Sequence, residues 1–311
     1  MAKQPRPLNG KVAAITGGAR GIGRATAQAL VRQGMKVALG DVDLETAGRT
    51  AAELGAGTIA VELDVTDRGS FTRFLDQVES ELGPVDVLIN NAGIMQIGRF
   101  LDEDDATAHR MVDINVHGVI LGMKVALPRM QARNRGHLIN ISSQAGKVGL
   151  PGGATYCATK HAVVGLSEAV AAELRDTDVD ISYVMPAIVN TELGSGLVDT
   201  RGVRKLEPQE VADAIVDALK YGIVDVWVPK STKVLNRLTQ LIPRRAAEGV
   251  ARLLKADQAL AGADAVARHA YDERAKRSHL TTPTQAQATG EPLAEAPSAP
   301  ESPGEREPER V

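Results

Sequence analysis

One cysteine, Cys157, stands in 311 residues, so the sequence offers neither an internal disulfide nor a cysteine-rich metal site. That scarcity is what a reducing, cytoplasmic compartment would favour. No run of about 18 apolar residues is present to span a bilayer. The opening Met1 to Gly10 carries no apolar stretch of the kind a cleaved leader needs. Positive charge is not in excess either: 36 Lys and Arg stand against 39 Asp and Glu, a formal net charge of −3. Nothing in that balance calls for nucleic acid. The histidines, His109, His117, His137, His161, His269 and His279, make no HExxH or comparable ligand set, so no metal is expected. No Gly-x-Ser-x-Gly turn surrounds Ser143, which argues against a serine hydrolase, and there is no internal repeat.

What is present, from Lys11 onward, is a regular alternation of short β-branched runs with longer amphipathic segments. Strands are predicted at Val12 to Thr16, Val37 to Gly40, Thr58 to Leu63, Val85 to Asn90, His137 to Ser142, Asp180 to Met185 and Asp225 to Val228. Helices are predicted at Gly21 to Gln33, Leu44 to Leu54, Ser70 to Leu82, Ala106 to Met130, Ala154 to Arg175 and Pro208 to Tyr221. Right-handed crossovers then give an α/β fold: a doubly wound parallel sheet of seven strands with helices on both faces and ligands at the strands' carboxyl ends. The catalytic domain is expected over 1–229, a helical extension over 230–280 and a disordered tail over 281–311, where Pro, Ala, Glu, Ser, Gln and Thr leave almost no large apolar residue.

The first strand runs into Gly17-Gly18-Ala19-Arg20-Gly21-Ile22-Gly23 and then a helix. Glycines there allow a tight turn and close backbone approach, and the helix start offers free N–H groups to a pyrophosphate. Asp41 closes the second strand, where a carboxylate accepts from ribose hydroxyls and repels a 2′-phosphate. It argues for NAD(H) over NADP(H); Arg20, a cation that could meet that phosphate, is the counterweight. Tyr156 and Lys160 are four apart in a helical segment and so share a face. A neighbouring ammonium would favour the phenolate and lower the Tyr156 pKa, making it a candidate acid and base.

The turn at Thr16 to Gly23, followed by Tyr156-x-x-x-Lys160, resembles the short-chain dehydrogenase/reductase family over about residues 8 to 230. The resemblance implies a Rossmann-like domain, NAD(P)(H) and reversible hydride transfer between alcohol and carbonyl. It implies Ser143 as the serine that holds the substrate oxygen, with Ser142 as strand-end structure, and Asn115 as a helix asparagine that kinks the backbone and connects through water to Lys160. It matches Asp64 and Val65 to an adenine-contact pair, Asn91, Ala92 and Gly93 to the turn beside the cofactor, and Pro186, Val189 and Thr191 to the nicotinamide side. Ala187 stands where the family has glycine. Asn90 and Asn91 also read as ordinary turn chemistry, and Cys157 as a small packed residue.

Beyond Pro229, apolar residues Val234, Leu235, Leu238, Leu241 and Ile242, then Ala246, Val250, Leu253 and Leu254, mark two helices broken at Pro243. Lys230, Lys233, Arg237, Arg244, Arg245, Arg252 and Lys255 accompany them against one acid, Glu248. The pattern fits an anionic membrane surface over 230–255, or a docked helix with a solvated cationic face. The segment Glu192 to Leu206 reads as mobile. The expected partner is a small hydrophobic alcohol or carbonyl compound, with a homodimer or homotetramer as the assembly. A catalytically silent cofactor-binding scaffold or sensor, recruited through the basic extension, is the rival reading, and hydratase or epimerase chemistry a third. Asn115, Ser143, Tyr156 and Lys160 together favour the enzyme, because a pure binder has no need of all four.

Overall fold

Side chains of a strand point alternately to the two faces of a sheet, so a strand apolar at every position belongs in a sheet covered on both sides. Val12–Thr16 (β1) is such a strand, buried throughout: Val12 and Ala14 join one apolar layer, Ala13 and Ile15 the other. The computed structural model describes residues 4–55, 57–198, 204–253 and 258–276. Its further strands are Lys36–Asp41 (β2), Thr58–Glu62 (β3), Val85–Asn90 (β4), Gly136–Ile141 (β5), Val179–Pro186 (β6) and Asp225–Val228 (β7). They form one sheet of order β3-β2-β1-β4-β5-β6-β7, parallel throughout. This is the Rossmann-like doubly wound arrangement. Its winding reverses between β1 and β4, which opens a crevice at the strands' carboxyl ends.

The helices are α1 (Gly21–Arg32), α2 (Leu44–Leu54), α3 (Arg68–Glu81), α4 (Asp105–Val112), α5 (Gly118–Ala132), α6 (Ala154–Glu173), α7 (Pro208–Tyr221), α8 (Ser231–Gln240), α9 (Arg244–Leu253) and α10 (Ala265–Lys276). On one face Leu30, Ala47, Val211 and Ile215 from α1, α2 and α7 pack with Ile15, Leu39 and Val184. On the other, Phe71, Phe74, Met123 and Val163 from α3, α5 and α6 pack with Ala14, Leu88 and Leu138. Asp43, Asp67 and Asp104 start α2, α3 and α4 by accepting from the N–H of Thr46, Ser70 and Thr107. Each such cap stabilises its helix by about 1 kcal/mol.

The structure corrects the sequence reading at Ala106 to Met130, which is not one regular helix. A π-helical turn at Asp113–His117 separates α4 from α5. The cause lies in Asn115, whose side chain bonds outside its own helix, as described below. Within the helical stretch Asp105–Ala132, an 18-residue window reaches a mean hydropathy of 1.2, apolar enough to cross a membrane by length and composition alone. Half of it is buried against the rest of the chain, as a core helix requires.

Past β7, the expected break at Pro243 separates α8 from α9. Their apolar stripe is not docked: Leu238, Leu241 and Leu253 are exposed. The tail over 281–311 lies outside the described residues, as do Leu254 and Lys255. Of the segment read as mobile, 199–203 also lies outside them. Its first part is held, with Leu197 buried and the Ser195 hydroxyl donating to the carbonyl of Ala267 in α10.

Candidate active site

Parallel register builds the site. Thr16 lies opposite Gly40, Asn90 opposite Asn140, Ile141 opposite Val184 and Pro186 opposite Val228, so the turns after β1, β4, β5 and β6 emerge side by side. Between them lies a cavity of about 1440 Å³. That exceeds the roughly 300–1,000 Å³ of a pocket for one drug-sized molecule. Every residue singled out from the sequence for cofactor or chemistry lines it, except Gly23 and Asn115.

Gly23 stands behind the wall. A Cβ there would sit 2.2 Å from the Gly17 carbonyl oxygen, so Gly23 lets α1 close onto the turn and does not line the cavity. Gly17 does face the cavity, at φ +64°, with Ala92 so near that a Cβ would fall 2.9 Å from its Cα. The two turns are stitched together. Thr16 Oγ1 accepts from the N–H groups of Asn91 and Ala92, and Asn91 Nδ2 donates to the carbonyls of Thr16 and Gly17, all at 2.9–3.0 Å. Asn91 therefore braces the turn, and it also lines the cavity.

At the end of β2, Asp41 accepts from the N–H groups of Ala19 and Asp43, each at 3.1 Å. Burial raises its pKa, and those two N–H groups oppose the rise. Arg20, the counterweight, is engaged elsewhere: it donates to Asp43 Oδ2 at 2.6 Å and to Thr46 Oγ1 at 2.8 Å. The Thr46 N–H, first, and then the guanidinium hold Asp43 down at about 2, so that pair stays charged. After β3, Asp64 is buried. Its Oδ1 takes the N–H and hydroxyl of Thr66, while its Oδ2 has no hydrogen-bond partner among the described residues. A buried carboxylate oxygen left open beside a cavity is costly unless a ligand donor meets it. With Val65, Pro186, Val189 and Thr191 lining the same cavity, these residues fit a dinucleotide. Ala187 needs no glycine, because its φ is not positive and its N–H donates to Val228.

Ser142 and Ser143 follow β5 and both line the cavity, but they are held differently. Ser142 is buried and donates to the Lys160 carbonyl, a structural bond. Ser143 lines the cavity within hydrogen-bonding reach of Tyr156, and its Oγ accepts from the Ala145 N–H. Tyr156 and Lys160 lie one turn apart on α6, the Lys160 Nζ 5.7 Å from the Tyr156 ring centroid and 3.0 Å from the Ile141 carbonyl to which it donates. Here the expectation of a lowered tyrosine pKa fails. Tyr156 is 7% exposed, and burial pushes its phenol well above the usual range, with Ser143 opposing weakly. Burial also lowers Lys160 to about 8. The neighbour argument from the sequence omitted this desolvation, which penalises both charged forms.

Asn115, 1% exposed, holds the frame. Its Oδ1 accepts from the Ile94 N–H and its Nδ2 donates to the Ile94 carbonyl, both at 2.8 Å, and to Thr159 Oγ1 at 3.1 Å. Thr159 in turn donates to the Tyr156 carbonyl. The side chain is thus committed to the β4 loop and α6, making Asn115 a positioning residue. Cys157 is a buried packing residue whose Sγ accepts from the Leu150 N–H at 3.4 Å. Among the described residues no three His, Cys, Asp or Glu side chains gather as a metal group.

Two residues were missed. Tyr271 of α10 lines the cavity, its hydroxyl accepting from the Met95 N–H at 2.8 Å, and Arg268 behind it donates to the Met95 carbonyl. The available signal was the spacing Arg268, Tyr271, Arg274, which puts all three on one helix face.

Known proteins share this arrangement. The family described as short chain dehydrogenase matches residues 11–202. A sorbitol dehydrogenase of Cereibacter sphaeroides is 39% identical over 191 residues, 61% of this chain and 75% of that protein. A 3-alpha-(or 20-beta)-hydroxysteroid dehydrogenase of Mycobacterium tuberculosis is 37% identical over 213 residues, 67% of this chain and 82% of that one. Among solved structures, a short-chain dehydrogenase/reductase of Burkholderia phymatum in complex with NAD superposes with a TM-score of 0.70 at 30% identity, covering 76% of this chain and 94% of its own. A match over most of the catalytic sheet, with the turn, the serine and the tyrosine–lysine pair meeting in one crevice, leads to one conclusion: the chain belongs to the short-chain dehydrogenase family.

Proposed function

We propose that the chain interconverts a secondary alcohol and its ketone with NAD(H) in preference to NADP(H), on a largely apolar substrate, with Tyr156 as acid and base. The observation that carries this reading is the meeting of Ser143, Tyr156 and Lys160 in a cavity that Asp41 and Asp64 also line. Gly17, Gly21, Asp41, Asp64, Val65 and Thr191 would hold the cofactor, which when bound supplies or accepts the hydride. Ser143 Oγ orients the substrate oxygen toward Tyr156. A buried phenol with a raised pKa keeps its proton at neutral pH, so Tyr156 Oη gives that proton to a ketone oxygen, and in the reverse direction the phenolate takes the proton back from the alcohol. The Lys160 ammonium, 5.7 Å from the ring, steadies the negative charge that the phenol acquires. Met95, Leu193, Leu197 and Leu260 make the substrate end apolar.

The NAD(H) preference rests on Asp41, which faces the cavity, and on Arg20, which is held by Asp43. Turnover of a panel of apolar secondary alcohols, followed by cofactor absorbance, tests both the reaction and the preference. Wild-type protein is expected to favour NAD+, and Asp41→Asn to lower the NAD+ to NADP+ ratio of kcat/KM by about tenfold or more, because repulsion of a like charge is removed. Tight NADH binding without turnover of any alcohol or ketone would instead favour the scaffold.

We further propose that α8 and α9 meet an anionic membrane surface. Leu241 is 82% exposed and Leu253 68%, beside exposed Arg237 and Arg245. Lys230 and Lys233 are partly committed to Asp217 and Asp225, so the patch is less basic than the sequence suggests. Co-sedimentation with phosphatidylserine vesicles is expected to fall several-fold when Leu238 and Leu241 are both changed to Ser. Equal pelleting of both proteins would remove this contact.

A further inference from the structure

Arg268 is 1% exposed, rare for an arginine, and the reaction described above makes no use of it. Its Nη1 donates to the carbonyls of Leu193 and Ser195, each at 2.9 Å, and its Nη2 to the carbonyl of Met95 at 2.7 Å. Asp272 Oδ1 lies 3.6 Å from Nη2. One guanidinium therefore pins α10 to the loop after β4 and to the loop after β6, whose Met95 and Leu193 line the cavity.

The helix brings Tyr271 with it. The ring is buried, with the Arg268 guanidinium 5.0 Å and that of Arg274 5.8 Å from its centroid. Tyr271 and Tyr156 line the same cavity. A phenol hydroxyl has one proton and two lone pairs. The Met95 N–H occupies a lone pair at 2.8 Å, and among the described residues the Tyr271 proton has no acceptor. Burial pushes this phenol up to about 12, so the proton stays on oxygen at neutral pH. A buried donor among leucine and methionine side chains is costly, and a ligand oxygen relieves that cost.

We propose that the Tyr271 hydroxyl donates a hydrogen bond to a second oxygen of the substrate, so that the site selects a diol or hydroxy-ketone of apolar skeleton over a mono-alcohol. The proposal rests on the oxidoreductase reading, in which the reacting oxygen lies at Ser143 and Tyr156. Tyr271 is then a specificity-determining residue, and Arg268 the residue that positions it. Two oxygens held at fixed points also orient the reacting carbon, which a purely apolar wall cannot do.

The test compares full-length wild type with Tyr271→Phe on cyclohexanol and on 1,2-, 1,3- and 1,4-cyclohexanediol with NAD+. The ratio of kcat/KM for the best diol over cyclohexanol is expected to favour the diol in wild type. In the variant it is expected to fall about three- to tenfold, the worth of one neutral hydrogen bond. Because both substrates are read on one preparation, any loss of folded protein cancels. The same ratio is read without turnover by titrating the NADH complex with cyclohexanone and the hydroxycyclohexanones and following NADH fluorescence. A wild type with no diol or hydroxy-ketone preference, or a variant in which the ratio is unchanged, overturns the proposal. Absence of turnover with a selective binding ratio would sink the oxidoreductase reading and leave the role of Tyr271 standing.

Discussion

Tyr156→Phe is expected to retain NADH binding and to lose turnover by at least about a hundredfold, since a positioned acid–base group contributes 10²–10⁴-fold. The ring is buried among α6 and loop residues, and phenylalanine fills the same volume, so the change isolates the hydroxyl. A pH profile adds the part played by Lys160. Burial lowers its pKa to about 8, so the ammonium loses its proton as the pH rises through that value. The charge that steadies the phenolate goes with it, and reductive kcat is expected to decline above pH 8. In Lys160→Met that inflection is expected to vanish along with most of the rate. The same shift has a stability counterpart. The lysine titrates at about 8 when folded and near 10.5 when not, so between those values the unfolded chain holds more protons and stability rises with pH. Urea denaturation at pH 7 and pH 9.5 measures it. Near wild-type turnover in Tyr156→Phe would remove the phenol from the chemistry.

The strands were readable because their apolar runs are continuous and bounded. Val12–Thr16, Val85–Asn90 and Asp225–Val228 match the predicted runs end to end, while Lys36 and Asp41 extend β2 through backbone pairing that their polarity hides. The turn after β1, Asp41, Ser143 and the Tyr156–Lys160 pair were legible because each is a local pattern carried by a known element. What the sequence conceals is set by partners distant along the chain. Asn115 reads as an asparagine unfavourable within a helix, but the π-helical turn depends on Ile94, 21 residues away. The direction of the Tyr156 shift depends on how deeply the phenol is buried, which a four-residue spacing does not report. Gly23 looks like a cofactor glycine, and only the approach of the Gly17 carbonyl shows that it serves helix packing. Arg268 was hidden most completely. Arginines are ordinarily exposed, and its three carbonyl partners are separated from it by more than 70 residues.

Arg268→Ala is the substitution outside the reacting group from which the largest effect is expected. It leaves the carbonyls of Met95, Leu193 and Ser195 without their shared donor, and leaves Asp272 without its facing cation. Breaking a buried charged arrangement of this kind costs about 3–5 kcal/mol. That cost need not fall on the whole fold, because the sheet and its flanking helices have cores of their own. It falls on the closure of α10 over the loops after β4 and β6. Amide hydrogen exchange is therefore expected to quicken by two to three orders of magnitude over 193–197 and 265–276, with the sheet unaffected, at about 1.4 kcal/mol per tenfold. Arg268→Lys keeps the charge but not the fork that reaches three carbonyls, and an intermediate effect is expected. KM is expected to rise more than kcat falls, since the arginine touches neither substrate nor cofactor and acts by holding Tyr271 and Leu193 against the cavity. Uniformly faster exchange throughout the sheet would instead make Arg268 a support of the global fold, and unchanged exchange at 193–197 would mean that these loops hold their places without α10.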